Sequence, residues 1–445
     1  MADYLDWTGA AGAGIDVDAQ LANSGRVLER LRADLTAGEL PFLAMPYMDG
    51  LLAELEGLRG FVRGFEHMLV LGIGGSALGA RALQRAFAPG QDLPGHAGPW
   101  LWILDNVDAP TLTAYLDRLP PEKTLVVVIS KSGGTIETIG QYFLVRAWLR
   151  ERLGGDCAGH LFFVTDAHKG FLREEADGLG VRTLPVPDFL GGRYSALSAV
   201  GLLPALFLGL DVRALTDGAR AAAAALLDPG LTAEALAATP AFRLAAWNAA
   251  LMAAGHTELI FFCYVPAWAT FGAWFAQLWA ESLGKHGKGS MPIPATGVTD
   301  QHSVNQMFLD GPRNKACLFI TQAAETPLPF PPALPGKWAW LNGGDFGRLI
   351  QAEGLGTRMA LSSSGVPLVE LRMDRADERA AGKMMVLLGA ATLMCGWLLG
   401  INPVDQPAVE LGKRLANARL GAPGLEREKA DLAAFLNLKR NMQEL

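Results

Sequence analysis

Apolar positions in this chain fall into two kinds of pattern that alternate along it. Short, mostly uncharged runs bounded by polar or glycine residues occur at Met68–Leu71, Leu101–Leu104, Leu125–Ile129, Leu161–Val164 and Val181–Leu184. Such runs read as buried strands. Segments with helical spacing separate most of them. That predicts a doubly wound, mostly parallel sheet with helices on both faces. A second strand–helix region begins near Glu258, with candidate strands Leu259–Tyr264, Ala316–Thr321 and Leu368–Met373 and a long helix from about Arg375 to Leu399. Residues 1–60 read as mostly helical, on the spacing in Val27–Leu35 and Leu51–Leu58. Leu425–Leu445 reads as a charged amphipathic helix, and Pro327–Pro335 as a loop. The expected division is an N-terminal helical segment at 1–60, a first domain at 61–210, a second at 211–420 and a C-terminal helix at 421–445. The fold class is α/β, and the two sheet regions are candidates for distant structural copies.

Two of these strands run into glycine-rich loops. Thr124–Thr138, TLVVVISKSGGTIET, passes from a strand through Ser130–Gly134 into a helical pattern from Thr135. His67–Ser76, HMLVLGIGGS, repeats the design and continues into ALGARAL. Glycines let a backbone approach a ligand closely, and a helix start offers unpaired N–H groups and a positive dipole end. Gly75, Ser76, Ser130, Ser132, Gly133, Gly134 and Thr135, with the cation of Lys131, therefore suit a phosphate. Helix capping and turn formation explain the same hydroxyls without any ligand. Neither loop is a nucleotide P-loop, because G-x-x-x-x-G-K-S/T is absent. The first loop also fails G-x-G-x-x-G, since Ala77 follows Gly72 and Gly74 at the third glycine position. A dinucleotide fold is thus weakly supported.

At 445 residues the chain is too long for one ordinary core, which predicts two or three domains. Half of it is hydrophobic and 19% is charged, the composition of a globular protein. The net charge of -7 argues against a nucleic-acid partner. Cys157, Cys263, Cys317 and Cys395 are scattered with no C-x-x-C pair, and three lie in apolar runs. They read as buried thiols of a reducing compartment, so a cytoplasmic location is expected. No His, Cys or carboxylate cluster has zinc-site spacing, and no metal is expected. The N-terminus lacks a basic segment followed by an apolar core. Leu259–Ala280 and Met384–Ile401 approach spanning length, but Pro266 interrupts the first and glycines the second. Buried helices, with no membrane partner, are expected for both.

The second region carries groups suited to proton transfer. Gln277 and Glu281 are four apart on one helical face, and Glu281 is the first carboxylate after the uncharged stretch from Leu259. A general base suits that place; a helix-end pair with Lys285 is the plainer reading. His302 follows Thr299, Asp300 and Gln301 in a polar segment, where an imidazole can transfer protons near neutral pH. Arg193 stands in a glycine turn, Gln406 in a proline-bracketed turn, and Lys413 on the helix that follows. Each alone has a structural explanation.

Together, GIGGS, SKSGGTIET, GGRYS, QLWAESLGK, TDQHS and NPVDQPAVELGK resemble, in this order, the motifs of the phosphoglucose isomerase family from roughly residue 60 to 420. The length resembles its shorter bacterial form. The resemblance implies two sugar-isomerase α/β domains, no metal, no organic cofactor, and reversible conversion of glucose 6-phosphate to fructose 6-phosphate. It implies that Ser76, Ser130, Ser132 and Thr135 bind phosphate and that Gln277 and Gln406 hold sugar or phosphate. It implies Glu281 as the base between C2 and C1, Arg193 as the cation against the enediolate, and His302 and Lys413 as ring-opening groups. It also implies a homodimer in which each His302 completes the neighbouring site. Many family members carry more Thr where this chain has Gly133 and Gly134. Three other readings remain open: a bifunctional phosphoglucose/phosphomannose isomerase, a non-catalytic sugar-phosphate regulator, and a nicotinamide-dependent dehydrogenase, for which no acidic residue ends the next candidate strand cleanly although Asp105 is near.

Overall fold

All eight apolar runs read as strands are strands in the computed structural model, which describes residues 2–444, the side chain of Asp156 aside. In chain order the strands are β1 (Tyr4–Asp6), β2 (His67–Leu71), β3 (Trp100–Leu104), β4 (Thr124–Ser130), β5 (Leu161–Thr165), β6 (Arg182–Pro185), β7 (Glu258–Cys263), β8 (Met291–Thr296), β9 (Lys315–Gln322) and β10 (Leu368–Met373). They form two five-stranded sheets, ordered β3-β2-β4-β5-β6 and β1-β10-β9-β7-β8. The first is parallel throughout. The second is parallel except for β1, which pairs antiparallel with β10.

Every residue of β4 is buried because helices cover both faces of its sheet. One face of the first sheet, with Met68, Val70, Val127 and Phe162, and one face of the second, with Leu259, Phe261, Leu318 and Leu371, belong to a single continuous core. The opposite faces each have a smaller core of their own. Leu69, Val126, Val128 and Phe163 pack with Tyr142 and Trp148 outside the first sheet. Ile260, Phe262 and Phe319 pack with Phe308 and Leu361 outside the second. Both sheets lie in one unit that ends at Pro403, and a second unit begins at Val404. The second unit pairs the helices Glu410–Arg419 and Glu426–Leu436, with Arg414 against the buried carboxylate of Glu428.

Three details differ from the expectations. Residues 1–60 are mostly helical, as expected, but Tyr4–Asp6 is the antiparallel edge of the second sheet. Three residues are too few for a period-2 signal. β8 has no counterpart among the expected strands; Pro292 and Pro294 interrupt its apolar run. It is an edge strand beside β7, where a missing N–H costs no ladder bond on the open side. The C-terminal helix stops at Leu436, before the mostly polar Asn437–Glu444; Leu445, the expected end of that helix, lies outside the described residues.

The two long apolar stretches are accounted for differently. Leu259–Ala280 divides into β7, a turn at Pro266–Trp268, and the first part of the helix Phe271–Leu283. Met384–Ile401 lies mostly in the helix Glu378–Leu398, which among the described residues is the one long and apolar enough to cross a membrane. It is buried in the shared core, against the helices Val212–Ala223 and Pro240–Ala253.

Candidate active site

In the first sheet the chain passes from β2 to β3 on one side and then to β4 on the other. Connections leaving in opposite directions open a crevice beyond the carboxyl ends of β2 and β4. Both glycine-rich loops border it. The register sets Leu71 beside Val128, and a Cβ at Gly72 would lie 3.4 Å from the Ile129 carbonyl oxygen.

Thr135 occupies the N-cap position of the helix Ile136–Leu153 without capping it. Its hydroxyl instead pairs with that of the buried Ser130 at 2.9 Å. Ser132 is exposed and accepts from the Gly134 N–H at 3.3 Å. The helix Leu78–Phe87, after Gly75 and Ser76, also has no side-chain cap. Two helix starts thus direct uncapped N–H groups toward the crevice, an arrangement that favours an anion over the plain capping reading. Gly133 has φ of 65°, and a Cβ there would lie 3.2 Å from the Leu172 nitrogen, so backbone geometry demands glycine. At Gly134 the space is open. Lys131 is half-buried; burial pushes its ammonium pKa down, against the pull of Asp188 and Asp166.

The first loop sits on the turn that carries Arg193. A Cβ at Gly75 would lie 2.2 Å from the Gly192 carbonyl carbon and 2.7 Å from the Arg193 nitrogen. Only backbone fits between them. The Arg193 side chain is 1% exposed, and its guanidinium is held in three directions. Nε donates to Ser282 Oγ at 2.8 Å, Nη1 to Glu281 Oε2 at 3.2 Å and Nη2 to the Pro403 carbonyl at 2.7 Å. Tyr194 lies beneath it, 5.5 Å from ring centre to guanidinium carbon, and pairs with Ser282 Oγ at 3.1 Å. Burial raises the Tyr194 pKa.

Glu281 Oε1 accepts from Gln277 Nε2 at 2.9 Å, so the i, i+4 pair expected on one helical face is formed. The same Gln277 nitrogen is 3.0 Å from where a Cβ at Gly74 would be. Glu281 is therefore joined to the first loop through one side chain and to the GGRYS turn through another, with its side chain 30% exposed. Lys285, the plainer partner for Glu281, donates to the carbonyls of Ser282 at 2.9 Å and Asn402 at 2.5 Å.

His302 lies elsewhere in this unit. It is exposed, on the turn Thr299–His302 that follows β8 at the carboxyl edge of the second sheet. Gln406 and Lys413 belong to the second unit. Gln406 is half-buried at the start of the Pro407–Val409 turn, and Lys413 is exposed and paired with Glu410 at 2.7 Å. Sequence reasoning missed Ser282, Tyr194 and the Pro403 carbonyl as supports of Arg193. The first two are neighbours of Glu281 and Arg193 within recognised motifs; a carbonyl acceptor has no side-chain signal. Asp105, the acidic residue of the dehydrogenase reading, is paired with Arg81 at 2.9 Å.

Comparison with known proteins gives a consistent result. The sequence model of the family described as Phosphoglucose isomerase matches residues 58–327. Glucose-6-phosphate isomerase of Rubrobacter xylanophilus is 41% identical over 364 residues, 80% of this chain and 82% of that protein. The protein of the same name from Carboxydothermus hydrogenoformans is 35% identical over 436 residues, 94% of this chain and 92% of that one. Among solved structures, a hypothetical protein from Thermus thermophilus matches with a TM-score of 0.82 at 33% identity, covering 94% of this chain and 100% of that one. A glucose-6-phosphate isomerase from Chlamydia trachomatis has a TM-score of 0.80 at 19% identity, over 98% and 92% of the two chains, a likeness of fold.

Proposed function

The chain belongs to the phosphoglucose isomerase family and interconverts glucose 6-phosphate and fructose 6-phosphate; we propose that Glu281 is its base and Arg193 its fixed cation. Moving a carbonyl between C1 and C2 needs one group able to take a proton from either carbon, and a carboxylate above that bond meets the need. The intermediate is a negative enediolate, which a preorganised guanidinium stabilises best where water is excluded. The observation that carries this reading is the Glu281 carboxylate between Gln277 and the buried Arg193, beside a crevice with two uncapped helix starts.

In this reading the phosphate is held by Gly75, Ser76, Ser130, Lys131, Ser132, Gly133, Gly134 and Thr135, remote from the reacting carbons. Gln277 and Gln406 hold sugar or phosphate. His302 and Lys413 assist ring opening by proton transfer to and from the ring oxygen and anomeric hydroxyl. Glu281 then takes the C2 proton and returns it to C1, and Arg193 steadies the charge between the steps. The chain reads as two sugar-isomerase halves, 61–210 and 211–420. The active form is a homodimer with His302 delivered to the neighbouring site; its exposure beyond the carboxyl end of β8, whereas Glu281 lies toward the amino ends of the same sheet's strands, supports that assignment. Four buried free cysteines fit a reducing, cytoplasmic setting. The relatives' activity disfavours a non-catalytic regulator.

Glu281→Gln tests the assignment, because it keeps shape and hydrogen bonding but cannot accept the proton. Isomerisation in a coupled assay is expected to fall by at least about 10²-fold, and exchange of the C2 hydrogen with solvent by a similar factor. Affinity for sugar-phosphate inhibitors is expected to hold. Wild-type C2 exchange alongside lost isomerisation would assign the proton to another residue.

A further inference from the structure

The turn that carries His302 is fixed far more firmly than an exposed turn requires. Asp300 accepts from the Thr296 N–H at 2.7 Å and from the Ser303 hydroxyl at 2.8 Å. Gln301, directly before His302, is held at both ends of its amide. Its oxygen is 2.7 Å from the Tyr264 hydroxyl and 2.9 Å from the Thr357 hydroxyl, which are themselves 2.7 Å apart. Its nitrogen donates to Glu353 at 2.7 Å. The two hydroxyl protons and the carboxylate leave one orientation of the amide: the flipped one would set its oxygen against Glu353.

Tyr264 anchors this cluster to the sheet. Its ring stacks on Phe319 of β9 at 4.9 Å between centres. A Cβ at Gly297, just before the turn, would lie 2.5 Å from that ring, and one at Gly354, on the helix Phe346–Ser363, would lie 3.1 Å from it. The ring occupies a slot that two glycines leave open. Burial pushes the Tyr264 hydroxyl up to about 12, so it is a neutral donor at working pH. Tyr264 and Thr357 are buried, whereas His302 is exposed.

We propose that Tyr264, Thr357 and Glu353, acting through Gln301, are positioning residues that fix the backbone and imidazole of His302 for proton transfer at a sugar ring. The inference rests on the assignment of ring opening to His302. A rigid platform is what a proton donor needs when its target lies in the neighbouring subunit, since a displacement of about 1 Å costs up to roughly 10²-fold.

The test separates ring opening from isomerisation by following anomer interconversion of fructose 6-phosphate alongside the coupled assay. Tyr264→Phe keeps the ring in its slot, and Thr357→Ser keeps the hydroxyl. Tyr264→Phe and Thr357→Val are expected to slow anomer interconversion about 10-fold. KM for fructose 6-phosphate should stay unchanged, and Thr357→Ser should retain the wild-type rate. In a His302→Ala background neither loss should add to the first, because both act through the imidazole. Wild-type anomer interconversion in Tyr264→Phe and Thr357→Val, with His302→Ala slow, would overturn the inference and reduce the cluster to stability alone. A wild-type rate in His302→Ala would instead remove the ring-opening assignment, and the inference with it.

Discussion

The first sheet runs from β2 out to β3, back past β2 to β4, and on to β5; the second repeats that route from β7 to β8, β9 and β10. The loops at corresponding places carry different residue types. After β2 and β4 come short turns of Gly and Ser that open directly into helices. After β7 comes Tyr264–Val265–Pro266, and after β9 a long loop with a proline-rich stretch. The titratable groups belong to the second region: His302 after β8, and Glu281 near the end of the helix that follows β7. That helix runs back toward the amino ends of its own strands, which brings Glu281 to the first sheet's loops. In the proposed reading, one topology supplies an anion cradle in one sheet region and proton-transfer groups in the other. The fold provides the crevice, and the loops decide its use.

Substitutions at Arg193 test this division at the point where the two regions meet. Arg193→Lys should lower kcat by about 10²–10³-fold, because a single ammonium cannot reach Ser282, Glu281 and the Pro403 carbonyl together. A small loss would detach Arg193 from the chemistry. A second test mixes inactive His302→Ala and Glu281→Gln chains under subunit exchange. Half the dimers are then mixed and each has one intact site, so activity should rise to about a quarter of wild type. No recovery despite demonstrated exchange would put His302 in its own subunit's site. Ser132→Ala should raise KM for fructose 6-phosphate about ten-fold with kcat nearly unchanged, since a contact far from C1 and C2 is made equally in ground and transition states. A kcat defect with normal phosphate inhibition would break the separation of binding from chemistry. The smallest effect distinguishes the two glycines of the loop. Gly133→Ala should cost about 1–3 kcal/mol in thermal or denaturant unfolding, and Gly134→Ala less than about 0.5 kcal/mol. Equal costs would mean that backbone conformation does not explain Gly133.

The sheets are legible in the sequence because buried parallel strands are continuous apolar runs. Leu125–Ile129 and Leu259–Tyr264 announce themselves by composition. β8 does not, because its two prolines are compatible with a strand only at an edge, and edges are a property of the finished sheet. β1 is too short for any periodicity. The pairing of Gln277 with Glu281 is readable from spacing on one helix. The pairing of Glu281 with Arg193 is not, since 88 residues separate them and Lys285 offers a nearer partner. Whether Thr135 caps its helix depends on the rotamer of one hydroxyl, which no sequence pattern specifies.

The pairing of β1 with β10 also has a consequence for assembly on the ribosome. Asp3 bonds to Asp374, 371 positions later, and Tyr4–Asp6 closes the same edge of the second sheet. These residues emerge long before their partner strand, which is made after most of the chain. The first sheet, contiguous from β2 to β6, can fold as it is synthesised. The second must wait for β10, and the contact that closes it carries one of the longest loop-closure costs in the molecule. Until then β10 has an open edge able to template pairing with another chain. A segment made long before its partner strand can thus be placed only once β10 is available, and its docking closes an edge otherwise open to aggregation.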